Sequence, residues 1–174
     1  FGMTQLGYYS RPRWLTENPK SYIDSGYSGN LGFSFPTALG AKVGNPGKPV
    51  VCVSGDGGFM YNSSEISTAV KYGINFVTVI YNDGHFGNVA RDLADDLGGD
   101  YETEFANPDF VKLAEAYGAV GLRARDPFNV TNVIPKALEM KRPVFIDVPV
   151  SRFPRPKQWS ARAPWTKPQE DLID

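Results

Sequence analysis

The chain has 174 residues, of which 41% are hydrophobic and 21% are charged, and its formal net charge is −1. This length and composition suit one α/β domain with a full core, and the near-neutral charge excludes a basic footprint for nucleic acid or anionic membrane. Because no apolar stretch approaches a membrane span and nothing resembles a signal peptide, the sequence predicts a cytoplasmic protein without nucleic-acid or membrane partners.

The first 31 residues are predicted to be irregular, because two prolines and four glycines interrupt any periodicity. A helix is predicted over residues 32–43, with Pro36 in its first turns. The only cysteine, Cys52, lies in the apolar run that follows the turn-rich residues 44–47. It is predicted to be a small buried hydrophobe, and a disulfide or a cysteine-based metal site is excluded.

From residue 50 onwards, short apolar strands alternate with amphipathic helices. Strands are predicted over residues 50–53, 76–81, 120–123 and 144–148. Of the helices between them, one opens with a capping box at residues 62–65 and closes near Gly73. Another opens with Asn107 as N-cap and Pro108 at the first helical position, and a third covers residues 130–138. This alternation predicts an α/β fold with a doubly wound, mainly parallel sheet and helices on both faces.

Two segments depart from this alternation. Residues 83–106 are predicted to be a long connection, rich in glycine and acidic residues, which is either a loop that folds over a site or solvated charge. Residues 151–174 are predicted to be a proline-rich C-terminal arm with Trp159 and Trp165, next to an α/β domain of residues 1–150. Because the chain opens on Phe1, it is expected to be a fragment of a longer polypeptide.

Acidic, glycine-rich turns follow two consecutive predicted strands. Residues 54–58 read Ser-Gly-Asp-Gly-Gly, and residues 82–87 read Asn-Asp-Gly-His-Phe-Gly. The glycine N–H groups of the first turn can face an anion, and Asp56 beside them is compatible with an anion when Mg²⁺ lies between the two. Asp83 follows Asp56 by 27 residues, at the next strand end, where open α/β sheets bind ligands. Each turn alone is a common structural turn, but the pair predicts a shared metal and diphosphate site.

The Gly-Asp-Gly of residues 55–57, followed by Asn82-Asp83, resembles the binding motif of thiamine diphosphate-dependent enzymes, usually written GDG…NN. Residues 18–36 are similar to the segment that precedes this motif in the acetolactate synthase, benzoylformate decarboxylase and pyruvate decarboxylase group. The resemblance covers residues 5–150 and only the last of that family's three domains. It implies the thiamine diphosphate-binding fold, with thiamine diphosphate and Mg²⁺ as cofactors.

The resemblance implies a role for each matched position near the diphosphate. Asp56 and Asp83 would bind Mg²⁺ through their side chains, and His85 would bind it through its backbone carbonyl. Gly57 and Gly58 would donate backbone N–H groups to the diphosphate. No catalytic side chain is implied within this chain, although a lone histidine near a cofactor is a candidate general base.

Three further positions are matched upstream of the motif. Gln5 would contact the diphosphate, and the Gly29 carbonyl would contact the aminopyrimidine ring. Leu31 would wedge between the two rings of the cofactor and support its V conformation, which brings the reacting groups together. The alternative for Leu31 is a core leucine beside a turn.

The chain departs from the family pattern at residue 83, where Asp replaces the usual Asn. The added charge would strengthen the hold on Mg²⁺ while repelling the phosphates. A one-residue shift would instead make Asn82 the ligand, with the Gly84 carbonyl. Asp83 is preferred because residues 82–87 superpose without gaps on the family's Asn-Asn-x-x-x-Gly.

The resemblance implies a lyase or transferase that decarboxylates or ligates 2-oxo acids, as in acetolactate synthase. The Glu that activates the cofactor belongs to the pyrimidine-binding domain of the same or a neighbouring subunit, so a homo-dimer or tetramer is expected. The chain alone is therefore expected to be inactive and to bind the cofactor weakly. The alternatives are a non-catalytic regulatory module that binds a nucleotide or diphosphate, and an oligomerisation scaffold with an empty site.

Overall fold

The computed structural model describes residues 1–151, which fold around one four-stranded sheet. Its strands are β1 (Val51–Gly55), β2 (Val77–Asn82), β3 (Val120–Arg123) and β4 (Val144–Pro149). They are all parallel and lie in the order β1-β2-β4-β3. The predicted parallel α/β sheet is therefore confirmed, and β3 has the predicted bounds.

Helices lie between the strands and before the first of them. The α-helices of residues 1–151 are α1 (Gln5–Ser10), α2 (Ser34–Gly44), α3 (Asp56–Met60), α4 (Ile66–Lys71), α5 (Gly87–Leu97), α6 (Phe110–Ala116) and α7 (Val130–Glu139). Short 3-10 turns at Ser63–Glu65 and Pro127–Asn129 precede α4 and α7. No helix in this part of the chain is long and apolar enough to cross a membrane.

Each face of the sheet carries its own apolar cluster, as the period of two along a strand requires. The aromatic cluster, on the face that packs against α2, α4 and α6, has five rings, each in contact with Phe35 or Phe59: Phe35, Phe59, Phe76, Phe110 and Phe145. The aliphatic cluster, on the face of α7, comprises Val77, Val79, Ala124, Val130, Ala137, Val144, Ile146 and Val148. Helices on both faces are thus confirmed, and Cys52 is buried in the aromatic-cluster side as predicted.

Two predictions of irregular structure were wrong. Residues 5–10 form the short helix α1, which packs against β1. Residues 87–97, inside the segment predicted to be a long loop, form α5, and this helix ends at Gly98 in the left-handed conformation that glycine favours at a C-terminus. The predicted arm lies outside the described residues from residue 152 onwards, together with both of its tryptophans.

Both predicted helix caps were also wrong. The residues of the 62–65 capping box provide no side-chain cap, and the amide nitrogen of Asn62 donates to the Gly32 carbonyl at 2.9 Å. At α6, the cap is Asp109, which accepts from the N–H groups of Val111 and Lys112. The side chain of the predicted cap, Asn107, is engaged elsewhere.

Candidate functional site

The turns after β1 and β2 meet at the carboxyl edge of the sheet. Gly55, the last residue of β1, is the register partner of Tyr81 in β2, so Asp56 and Asp83 leave the sheet side by side. All eight residues that the sequence predicts for the site line one cavity of about 220 Å³. They are Gln5, Gly29, Leu31, Asp56, Gly57, Gly58, Asp83 and His85.

The Asp56 carboxylate is buried and held by N–H donors. Its Oδ2 accepts from the backbone N–H groups of Asp83 at 3.1 Å and Gly84 at 2.7 Å, and from the side-chain amide of Asn107 at 2.7 Å. Its Oδ1 accepts from the Gly57 N–H at 2.8 Å. These hydrogen bonds replace the hydration that the carboxylate loses on burial. The turn after β2 is thereby fastened to the first residue of α3.

Of the neighbouring side chains Asn82 and Asp83, only that of Asp83 lines the cavity. The Asn82 amide donates to Asp147 Oδ1 at 3.1 Å and accepts from Asn107 at 2.9 Å, so both of its ends are used away from the cavity. Asp83 lines the cavity, and its Oδ1 accepts from the His85 N–H at 3.2 Å. Of the two alternative metal ligands, only Asp83 therefore faces the space that a cation would occupy.

His85 is fixed through its ring. Its Nδ1 lies 2.7 Å from the Asp83 carbonyl oxygen, and its Nε2 lies 3.7 Å from a carboxylate oxygen of Glu104. The returning segment around Glu104 pairs with the turn through two backbone hydrogen bonds, from Phe86 to Thr103 and from Phe105 to Gly84. No backbone N–H of residues 1–151 donates to the His85 carbonyl, so that oxygen can serve as a ligand.

The two glycines of the first turn meet different surroundings. A Cβ at Gly57 would lie 2.6 Å from the ring of Phe86 and 3.0 Å from that of Phe105, so protein packing alone requires glycine there. A Cβ at Gly58 would meet only ordinary contacts, the nearest at 3.7 Å, and Leu31 at 4.0 Å. A side chain at Gly58 would therefore touch its neighbours without a clash. Since the Gly57 N–H already donates to Asp56, Gly58 has the better-placed donor for an anion.

Two polar residues of the site were missed from the sequence. Arg91 of α5 donates to the side-chain carbonyl of Gln5 at 2.7 Å and so orients the buried Gln5 amide at the cavity wall. Asn107 was assigned to helix capping, although its amide in fact holds Asp56. The helical spacing of Ala90, Ala94 and Leu97 is the signal that would have placed Arg91 on a helix.

The donor set fits a small divalent cation. Within residues 1–151 no group of three or more His, Cys, Asp or Glu side chains could hold a metal by itself. Two carboxylates and one carbonyl in the same cavity are hard oxygen ligands, and Mg²⁺ is commonly bound by one or two carboxylates together with substrate phosphates. These residues fit the protein side of such a site, in which the remaining ligands would come from the anion and water.

A known protein family matches this part of the chain. A model of the C-terminal, thiamine pyrophosphate-binding domain of thiamine pyrophosphate enzymes matches residues 2–148, which include every residue of the site. The chain belongs to this family. Thiamine pyrophosphate is thiamine diphosphate, so the predicted membership is confirmed, and so is the predicted fold.

Relatives of this thiamine pyrophosphate-binding domain include acetolactate synthases. The chain is 39% identical over 138 residues to the acetolactate synthase large subunit of Haemophilus influenzae, covering 77% of this chain and 24% of that protein. It is 36% identical over 143 residues to the acetolactate synthase of Bacillus subtilis, covering 79% of this chain and 25% of that protein. The chain thus spans about a quarter of the length of these relatives.

A solved structure has the same domain. It is the thiamine diphosphate-dependent 4-hydroxybenzoylformate decarboxylase of Rhodococcus jostii RHA1, which superposes with a TM-score of 0.67 at 31% identity. The match covers 72% of this chain and 24% of that one. Relatives of the binding domain therefore include both an acetolactate synthase and a decarboxylase.

Proposed function

We propose that this thiamine pyrophosphate-binding domain holds the diphosphate of thiamine diphosphate through Mg²⁺, as part of a 2-oxo-acid decarboxylase or carboligase. Asp56 and Asp83 would bind the cation through carboxylate oxygens, and His85 would bind it through its carbonyl. The observation that carries the proposal is that both carboxylates line one cavity at adjacent strand ends. Two acidic groups so close to an anion require a cation between them.

The anion side of the proposal rests on Gly58 and Gln5. The first N–H groups of a helix lack intrahelical partners, and Gly58 lies within the first turn of α3 and lines the cavity. The buried Gln5 amide reaches the same cavity from α1, with its orientation set by Arg91. Both would donate to diphosphate oxygens, while the cation screens the two carboxylates.

The cavity suits only part of the cofactor. Its volume of about 220 Å³ is below the range of roughly 300–1,000 Å³ in which a ligand of this size is usually enclosed. Leu31, at 36% exposed, lines the cavity, where it would contact the cofactor rings. A second surface, the pyrimidine-binding domain of the same or a neighbouring subunit, would complete the enclosure, in a homo-dimer or tetramer. The chain alone would bind weakly and would be inactive.

When bound, the cofactor would supply the chemistry, as an electron sink for the decarboxylation or ligation of a 2-oxo acid. The residues of this chain would bind and orient it. Asp56 and Asp83 would fix the cation, Gly58 would fix the diphosphate, and Leu31 would support the bent shape of the cofactor. These are positioning tasks.

Titration of the ¹⁵N-labelled chain by NMR tests this proposal. With Mg²⁺ present, thiamine diphosphate at millimolar concentration should shift the amide signals of Gly58, Asp83 and His85, and without Mg²⁺ it should leave them unchanged. ATP with Mg²⁺ should shift them less at the same concentration. A clear preference for ATP would overturn the proposal in favour of a nucleotide-binding module, and no Mg²⁺-dependent shift with either ligand would favour a scaffold.

Two substitutions test the ligand assignment. Asp56→Ala should abolish the Mg²⁺-dependent shifts, whereas Asp83→Asn should retain them, because an amide oxygen can replace the carboxylate oxygen as a ligand. Asp126→Ala is a matched control, since Asp126 does not line the cavity. The assignment is wrong if Asp83→Asn abolishes binding while Asp56→Ala binds like the unmodified chain.

A further inference from the structure

The side-chain amide of Gln5 lies between an arginine and one of the proposed cation ligands. Gln5 is 7% exposed and lines the cavity, and its Oε1 accepts from Arg91 Nη2 at 2.7 Å. Its Nε2, the other end of the amide, lies against Gly87, the first residue of α5. A Cβ built at Gly87 would collide with this nitrogen and would lie 3.5 Å from Asp83 Oδ2.

The nitrogen end of the Gln5 amide and the Asp83 carboxylate are therefore neighbours. Since both contact the same point at Gly87, Gln5 Nε2 and Asp83 Oδ2 lie within about 6 Å of each other, close enough for a strong interaction in a buried site. A direct contact or one bridging water can close such a gap. The other oxygen of this carboxylate, Oδ1, accepts from the His85 N–H at 3.2 Å.

The chemistry of Arg91 allows only this orientation of the amide. A guanidinium has N–H donors and no acceptor, so it pairs only with the oxygen end of Gln5. With the oxygen held there, the nitrogen end must face residue 83. Asp83 meets this requirement, because both oxygens of an ionised carboxylate accept hydrogen bonds.

An asparagine side chain at residue 83 would not meet the requirement. Its oxygen would have to accept from the His85 N–H, as Asp83 Oδ1 does, and its NH₂ group would then turn towards Gln5 Nε2. Two groups that only donate would face each other, and a buried donor without an acceptor is costly. Turning the Gln5 amide would remove this conflict but would create the same conflict at Arg91.

We propose that Arg91 is a positioning residue that fixes the Gln5 amide, so that residue 83 must accept hydrogen bonds on both sides and aspartate is the matched residue there. The proposal rests on the proposed function in one respect, since it takes residue 83 as a cation ligand and Gln5 as a contact of the diphosphate. It goes beyond that function by coupling the identity of residue 83 to a residue of α5 that does not line the cavity.

The consequence is that the preferred residue at position 91 depends on the residue at position 83. In the unmodified chain, arginine should be preferred. In the Asp83→Asn background, Arg91→Gln should be preferred, because a glutamine amide can also accept and lets the Gln5 amide turn its oxygen towards residue 83. Charge alone predicts otherwise, since loss of a positive charge near a diphosphate weakens its binding whichever residue stands at 83.

The test is a double-mutant cycle on the full chain, with saturating Mg²⁺, thiamine diphosphate as the titrant and the Gly58 amide shift as the readout. Arg91→Gln alone and Asp83→Asn alone should each raise the half-saturating cofactor concentration by roughly 3- to 10-fold, the factor for one hydrogen bond. The shifts persist in both at saturating cofactor. In the Asp83→Asn background, Arg91→Gln should instead lower the half-saturating concentration, and Arg91→Lys should not, because lysine only donates.

A matched control and a second readout accompany the cycle. Arg142 donates through Nη2 to the Gly118 carbonyl at 2.9 Å, before the strands begin and away from their carboxyl ends. Arg142→Gln removes the same charge and should leave the titrations unchanged in both backgrounds. Thermal unfolding without cofactor does not depend on binding. In the Asp83→Asn background, the thermal midpoint should be about 2–4 °C higher for Arg91→Gln than for Arg91→Lys.

The outcomes distinguish this inference from the proposed function. A reversal of the preferred residue at position 91 between the two backgrounds supports the inference. Equal effects of Arg91→Gln in both backgrounds overturn it, and so do equal thermal midpoints for Arg91→Gln and Arg91→Lys with Asp83→Asn, while Mg²⁺-dependent binding leaves the proposed function standing. If the unmodified chain shows no Mg²⁺-dependent binding, the proposed function is overturned, and the thermal midpoints then decide whether residues 83 and 91 are coupled.

Discussion

The aromatic cluster and the carboxyl edge of the sheet are held in place by different means, although one short helix belongs to both. In α3, Asp56 carries the polar contacts of the edge, and Phe59, three residues later, packs against Phe35, Phe110 and Phe145. The cluster is held by close packing, and the edge is held by directional hydrogen bonds. Changes in the cluster should therefore alter the stability of the whole fold, whereas changes at the edge should alter which atoms face a ligand.

The largest expected effect tests the cluster. Phe145 is 2% exposed, in the centre of the sheet, and its ring lies 5.5 Å from that of Phe35 and 5.8 Å from that of Phe59. Phe145→Ala should lower the free energy of unfolding by about 3–5 kcal/mol, because it removes buried apolar surface and leaves a cavity. Chemical denaturation followed by circular dichroism measures this loss.

Phe128→Ala provides the matched control for that substitution. Phe128 is 87% exposed, so its loss should change the free energy of unfolding by less than about 0.5 kcal/mol. Similar losses for the two variants would mean that close packing of the aromatic cluster does not stabilise the fold.

Cys52 reports on the same cluster without a substitution. Burial raises the pKa of the Cys52 thiol to about 11, and the thiolate is the reactive form. At pH 8 in native buffer we expect negligible reaction with a disulfide reagent over the time in which a small free thiol reacts completely. Reaction should become fast above the denaturant midpoint, and in Phe145→Ala it should become fast at lower denaturant. Fast reaction in native buffer would contradict the burial of this side chain.

The elements of the sheet were predictable because their signal is local. An apolar run bounded by glycine, proline or polar residues is enough to predict a buried strand, and β3 was placed to the residue. The helix α1 was not predictable in this way, because it has six residues, which include Gly7, and it depends on packing against β1. For α5 the helical spacing of apolar residues is present in the sequence, but the acidic residues of that segment favour the prediction of a loop.

The site was predictable only in part, for a related reason. The positions that line the cavity belong to turns whose motif is contiguous in sequence, and the register of parallel strands brings them together. The side chains that support them act over long separations. Asn62 donates to a carbonyl 30 residues away, and Asn107 donates to a carboxylate 51 residues away. Local spacing predicts a capping role for both asparagines, because the partners of a helix cap lie only a few residues away in the sequence.

The smallest expected effect concerns Asp109, which makes polar contacts next to the carboxyl edge of the sheet. It tests whether the charge of this side chain contributes to the stability of the fold. Hydrogen bonds from the Lys112 N–H, the Arg123 side chain and the Val111 N–H lower the pKa of Asp109. A carboxyl whose pKa is lower in the folded chain stabilises the fold above its unfolded pKa of about 4, and this contribution is lost as the pH falls through the folded pKa. Asp109→Asn removes that titration while asparagine keeps a good helix cap.

The thermal midpoints of the unmodified chain and Asp109→Asn should therefore differ by a constant amount between pH 5 and pH 7, with the unmodified chain the more stable. Below pH 4 the difference should shrink, because protonated Asp109 no longer binds Arg123 as an ion. In contrast, the difference between the unmodified chain and Phe145→Ala should not follow this pH dependence, since no titrating group is lost from the cluster. A pH-independent difference for Asp109→Asn would show that the charge of Asp109 does not contribute to the stability of the fold. The two regions would then differ in packing density and not in charge.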